Sequence, residues 1–84
     1  MVGRKVRPPE ELLARWRRED EEARAMRREK ADWEFIERLP PRQRLALVTY
    51  IETGDIYLAA RIMGVTIDEF NQLRLRARVP WVTP

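Results

Sequence analysis

The sequence predicts an all-α protein: a long charged N-terminal helix, a three-helix unit containing a helix-turn-helix, and an extended C-terminal tail. Three observations lead there. The stretch after Pro8-Pro9 runs to Leu39 without a helix breaker and is dense in opposite charges at helical spacing. Pro40-Pro41, Gly54 and Gly64 then cut the second half into three segments of helix length. Within Asp55–Arg78, the turn at Gly64-Val65 carries four boundary signals that agree. Glycine accepts a left-handed backbone after a helix without a Cβ clash. Thr66 caps the following helix and Glu69, three residues on, completes a capping box. Val65 before the cap and Phe70 within the helix are spaced for a hydrophobic staple.

Taken in order, residues 1–8 form a basic arm whose Arg4, Lys5 and Arg7 either rest on phosphates or stay solvated. Residues 9–39 form the long helix, ~45 Å at 1.5 Å per residue. Proline suits its first position, and Glu10-Glu11 suit the positive end of its dipole. Its i,i+4 pairs include Glu11–Arg15, Arg15–Glu19, Arg17–Glu21, Arg18–Glu22, Asp20–Arg24, Lys30–Glu34 and Glu34–Arg38. Together they can hold a solvated helix. Its apolar stripe, Leu12, Trp16, Ala23, Met26, Trp33 and Ile36, is thin and interrupted by Glu19 and Lys30, which argues against a self-sufficient coiled coil. Two readings follow: the helix lays Trp16, Met26 and Trp33 on another protein, or its last turns pack on the C-terminal half. Trp16 is too far out for the second.

The helix-turn-helix unit occupies residues 42–78. Leu45–Ile51 and Ile56–Met63 are apolar on more than one side, so a core within three short helices cannot bury them all. Either the long helix folds back over them or a second subunit does. Leu58 and Ile62, opposite the inner face of their helix, are the expected homodimer contacts. The tail, residues 79–84, cannot stay helical because of its prolines, and Trp81 on it either docks on a partner or packs back.

Composition narrows the function. An 84-residue chain is one domain, or one small domain with an appendage, and buries only roughly two-thirds of its unfolded surface, so a partner would add stability. With no cysteine, histidine or serine, disulfides, thiolate metal sites and most catalytic bases and nucleophiles are excluded. No enzyme activity, metal or cofactor is therefore expected. No secretory pattern or membrane-crossing apolar run is evident, which places the chain in the cytoplasm and off the membrane. Charge is dense at 37% but nearly balanced at +3, and arginine supplies most of the positive groups. Arginine serves both ion-pair networks and nucleic acid, and dense charge also suits a thermophile.

On the last helix Ile67, Phe70, Leu73 and Ala77 make the inner face, leaving Asp68, Asn71, Gln72, Leu75 and Arg76 outward. Asn71 and Gln72 suit adenine edges, and Arg76 suits guanine or phosphate. With Thr66, Arg74 and Arg78 they make the candidate DNA-reading set, and double-stranded DNA is the expected nucleic acid. Asp68 and Glu69 at the helix start oppose phosphate, and residues 42–84 carry only a slight excess of arginine over carboxylate. The candidate partner-binding set is Trp16, Met26, Trp33, Leu75, Val79 and Trp81.

Arg44–Val82 resembles a family of small prokaryotic antitoxins through Ala46, Leu47, Tyr50, Gly54, Ala59, Ala60, Gly64, Val65, Glu69, Phe70, Val79 and Pro80. The resemblance implies a protein that neutralises a PIN-domain ribonuclease toxin and helps repress its own operon. The match covers about half the chain; the long charged helix and Ile56-Tyr57, in place of a serine-containing helix start, depart from the pattern. Leu39–Arg44, Gly54 and Gly64-Val65 also resemble the C-terminal helix-turn-helix of bacterial sigma factors, from which Ile67-Asp68-Glu69 departs. That likeness implies a stand-alone transcription regulator or sigma-like adaptor.

Overall fold

The computed structural model describes residues 9–82, so the basic arm and the last two tail residues lie outside it. Five helices make up its regular structure, with no strand among the described residues: α1 Glu10–Lys30, α2 Trp33–Glu37, α3 Pro41–Thr53, α4 Ile56–Met63 and α5 Ile67–Arg76. The fold is all-α. Prolines open α1 and α3 where missing N–H groups are harmless, with Pro9 before α1 and Pro41 in the first turn of α3. Gly54 ends α3 and Gly64 ends α4, both at φ 71°. The Asp55 carboxylate accepts from the Leu58 N–H at 3.0 Å and starts α4.

The long helix expected over residues 9–39 is two helices. Ala31 is extended (ψ 141°) and Asp32 restarts the chain, its carboxylate accepting from the Phe35 N–H at 3.1 Å. The reason is burial. A straight helix would carry Ile36 and Phe35 away from α3, whereas the break lays Ile36 in the core with Phe35 and Leu39 against it. The Asp32 N–H freed by the break donates to the Ala77 carbonyl at 2.8 Å, tying the joint to the end of α5. Lys30 and Glu34 thus stand on different helices, and of the seven i,i+4 pairs only Glu34–Arg38 closes, at 3.7 Å.

The core lies among α2, α3, α4 and α5, with Ile36, Leu47, Tyr50, Ile51, Phe70 and Val79 as its largest fully buried side chains. The Tyr50 and Phe70 rings meet at 5.7 Å, tilted by 59°. α1 folds back onto α3 with its C-terminal half, where Ala23 is buried. It leaves α4 uncovered: Leu58 is exposed. Ile62, expected on a subunit interface with Leu58, is half-buried against the chain's own core, so most of its apolar surface is already used.

Candidate nucleic-acid and partner interfaces

The connection between α4 and α5 satisfies its helix ends from within. Val65 N–H reaches back to the Ala60 carbonyl and Gly64 N–H to that of Arg61, both at 3.1 Å, the pattern of a Schellman cap. Thr66 then opens α5: its hydroxyl accepts from the Glu69 N–H and donates to the Glu69 carboxylate, both at 3.1 Å. Thr66 is exposed, but its oxygen is engaged in this cap.

α5 ends in the same device, with a residue the chemistry disfavours. Val79 N–H bonds the Arg74 carbonyl and Arg78 N–H that of Leu75, both at 3.1 Å, and Arg78 takes φ 58° where glycine is usual. The residue after such a cap commonly packs back on the helix, and Val79 does so at 1% exposure. Its assignment to a partner surface is therefore corrected: Val79 is core. Arg74 is corrected too. It is buried, with Nε donating to the Asn71 side-chain oxygen at 2.9 Å, Nη1 donating to the Val79 carbonyl at 2.8 Å, and the guanidinium 5.3 Å from the Trp81 ring centre. Asn71 is half-buried and spends its oxygen holding Arg74. Neither is placed to read a base edge.

Outward on α5 and at its two ends stand Thr66, Asp68, Glu69, Gln72, Leu75, Arg76 and Arg78. Arg76 is exposed although its guanidinium lies 5.3 Å from the Phe35 ring centre. Asp68 and Glu69 stand in its first turn. At its far end Leu75 is 65% exposed, while Trp81, beyond the cap, keeps more than half of its surface in solvent. The chain matches no protein-family model, no curated protein and no solved structure. Trp33 donates its indole N–H to the Arg28 carbonyl at 2.8 Å at the end of α1, yet stays exposed, as do Trp16 and Met26. No helix among the described residues is long and apolar enough to cross a membrane, and no cluster of metal-ligating side chains occurs among them.

Sequence reasoning missed the arginines of α1. The last carbonyls of α3 have no partner within their own helix. Arg27 Nε donates to the Ile51 carbonyl at 2.8 Å and Arg24 Nε to that of Glu52 at 3.0 Å. Arg27 also donates through Nη1 to the Val82 carbonyl of the tail, and its guanidinium lies 5.9 Å from the Tyr50 ring centre. At 3% exposure it is a buried cation satisfied by carbonyls, and burial lowers its pKa. Arg28 grips Glu52 with two bonds of 2.9 and 2.6 Å, which holds the Glu52 carboxyl below the usual carboxylate range. The available signal was Arg27 at helical spacing between Ala23 and Ala31, a cation between two small residues. The tail is accordingly no free arm through residue 82: Arg74 holds Val79 and Arg27 holds Val82. The hydroxyl of Tyr50, enclosed by this arrangement, has no hydrogen-bond partner, and burial pushes its pKa up.

Proposed function

We propose that the chain is an antitoxin-like helix-turn-helix protein that binds a ribonuclease toxin of the PIN-domain kind, with operator DNA as a second partner. The observation that carries this reading is where the antitoxin-like residues fall. Ala46, Leu47, Tyr50, Ala59, Ala60, Phe70 and Val79 are buried, and Gly54 and Gly64 hold the two left-handed turns. That these positions fall in the core and turns of one compact unit supports the reading, because the pattern then describes a fold and not only a composition. α4 and α5, joined through Gly64, are the helix-turn-helix in this reading.

Leu75 and Trp81, both exposed beside Arg78, supply the toxin-facing patch. Exposed aromatic and aliphatic anchors next to an arginine suit a partner whose metal site is lined by carboxylates. The test is growth rescue. A small nuclease encoded beside this gene should arrest growth when expressed alone and be neutralised by this chain, with Leu75→Asp and Trp81→Asp losing neutralisation. A neighbouring product that is harmless, or rescue that survives both substitutions, refutes the toxin assignment.

A second reading, a stand-alone regulator without a toxin, draws on the outward Gln72 and Arg76 of α5. Gln72→Ala should then cost ~1–3 kcal/mol at one duplex sequence and little on random DNA. Equal loss on both duplexes removes base reading by this residue.

A further inference from the structure

Among the described residues, Arg15–Arg18 in the first half of α1 are exposed without interruption. The first α1 side chain bonded to α3 is Arg24, and among the described residues no side-chain hydrogen bond or ion pair ties Arg15–Glu22 to another element. Trp16 is 44% exposed and Met26 is 51% exposed. Between α1 and the tail opens a groove of about 550 Å³ floored by Ala23, Met26 and Val82 and walled by Glu19, Glu22 and Glu29. An apolar floor with carboxylate walls fits an apolar side chain flanked by arginines. Such a segment is present in the same helix: Trp16 lies between Arg15 and Arg17-Arg18.

We propose that α1 pairs antiparallel with α1 of a second copy of this chain, centred between Arg18 and Glu19. Residues 15–22 read Arg-Trp-Arg-Arg-Glu-Asp-Glu-Glu, a basic half followed by an acidic half. Laid antiparallel on itself about that centre, the segment brings Arg15 level with Glu22 and Arg18 level with Glu19 of the other copy. In parallel register, like charges meet. Helical spacing puts Arg15, Glu19, Glu22 and Met26 along one side of α1, the side on which the groove opens. Leu12 comes level with Ala25 of the second copy, and Trp16 comes level with Glu21, beside its Ala23–Val82 floor. The contact is isologous and closes on itself, so it makes a dimer and not a filament. It is independent of the toxin and DNA assignments, and it moves dimerisation from Leu58 on α4 to α1.

Sedimentation of the full chain at high micromolar concentration and low salt tests this. The wild type should be a dimer that weakens as salt screens the exposed pairs. Arg15→Glu with Arg18→Glu should give a monomer of unchanged helix content by circular dichroism. Adding Glu19→Arg and Glu22→Arg should restore the dimer, since the complete swap regenerates the complementarity. The chain has no cysteine, so Glu19→Cys should cross-link to itself on mild oxidation while Tyr57→Cys should not. A monomeric wild type overturns the proposal. So does a dimer that survives the Arg15 and Arg18 reversal, or one that is lost with Leu58→Asp alone.

Discussion

Arg27→Met isolates what a single buried guanidinium contributes to this fold. Methionine keeps the unbranched stem beside Ala23 and removes only the charged head. Lost with it are the bonds to the Ile51 and Val82 carbonyls and the stacking on Tyr50. Bonds from a charged donor contribute ~1.5–3 kcal/mol each, and the Ile51 carbonyl left at a buried helix end adds a further penalty. Against this stands the relief of no longer burying a cation, the same desolvation that lowers the Arg27 pKa. The balance is a loss of ~2–4 kcal/mol, which for a chain of this size corresponds to a fall in Tm of about 10–25 °C. Urea unfolding followed by circular dichroism measures it. Arg24→Met is the control, because Arg24 makes one carbonyl bond from a half-exposed position and should cost under ~1 kcal/mol. A change below ~0.5 kcal/mol for Arg27→Met, or equal effects at the two sites, would refute the claim that α1 is clamped through Arg27.

Two further substitutions have expected signs. Arg78→Gly relieves the left-handed conformation at φ 58° and should stabilise by ~0.5–1 kcal/mol, after glycine's own entropy cost, with a Tm rise of a few degrees; a destabilised variant would mean the Arg78 side chain makes a compensating contact. Tyr50→Phe removes a buried hydroxyl without a partner and should be neutral or stabilising by up to ~1 kcal/mol in denaturant titration. Because the folded Tyr50 pKa lies above its unfolded value, wild-type stability should fall as pH rises past about 10, and Tyr50→Phe should flatten that alkaline decline. A steeper decline in the variant would reverse the sign of the argument.

The parts of the fold legible in the sequence are those written in local chemistry. Pro41 at the start of α3, Asp55 before α4, Gly64 after it and Thr66 before α5 each act within a few residues of themselves, and each stands where its chemistry put it. The break at Ala31-Asp32 was not legible, because charge spacing favours continuing the helix and only burial of Ile36 against α3 stops it. Arg74 and Asn71 look like DNA-reading residues for the same reason that they make a good internal knot: both are long or forked hydrogen-bonding groups. Only the position of the Val79 carbonyl decides between the roles. Val79 itself looked free because its burial depends on Arg78 turning left-handed, a conformation that no sequence rule assigns to arginine.

The clasp of Arg27 on Val82 joins residues 55 positions apart. Closing a loop of that length costs more entropy than pairing neighbouring helices, so this bond is among the more costly of the fold to close. On a chain made from its N-terminus, Arg27 emerges well before Val82, so this clasp closes only once the segment beyond α5 has been added. A shortened product ending before Val82 would keep the bonds from α1 to Ile51 and Glu52 and lose the one that ties the leading helix to the tail.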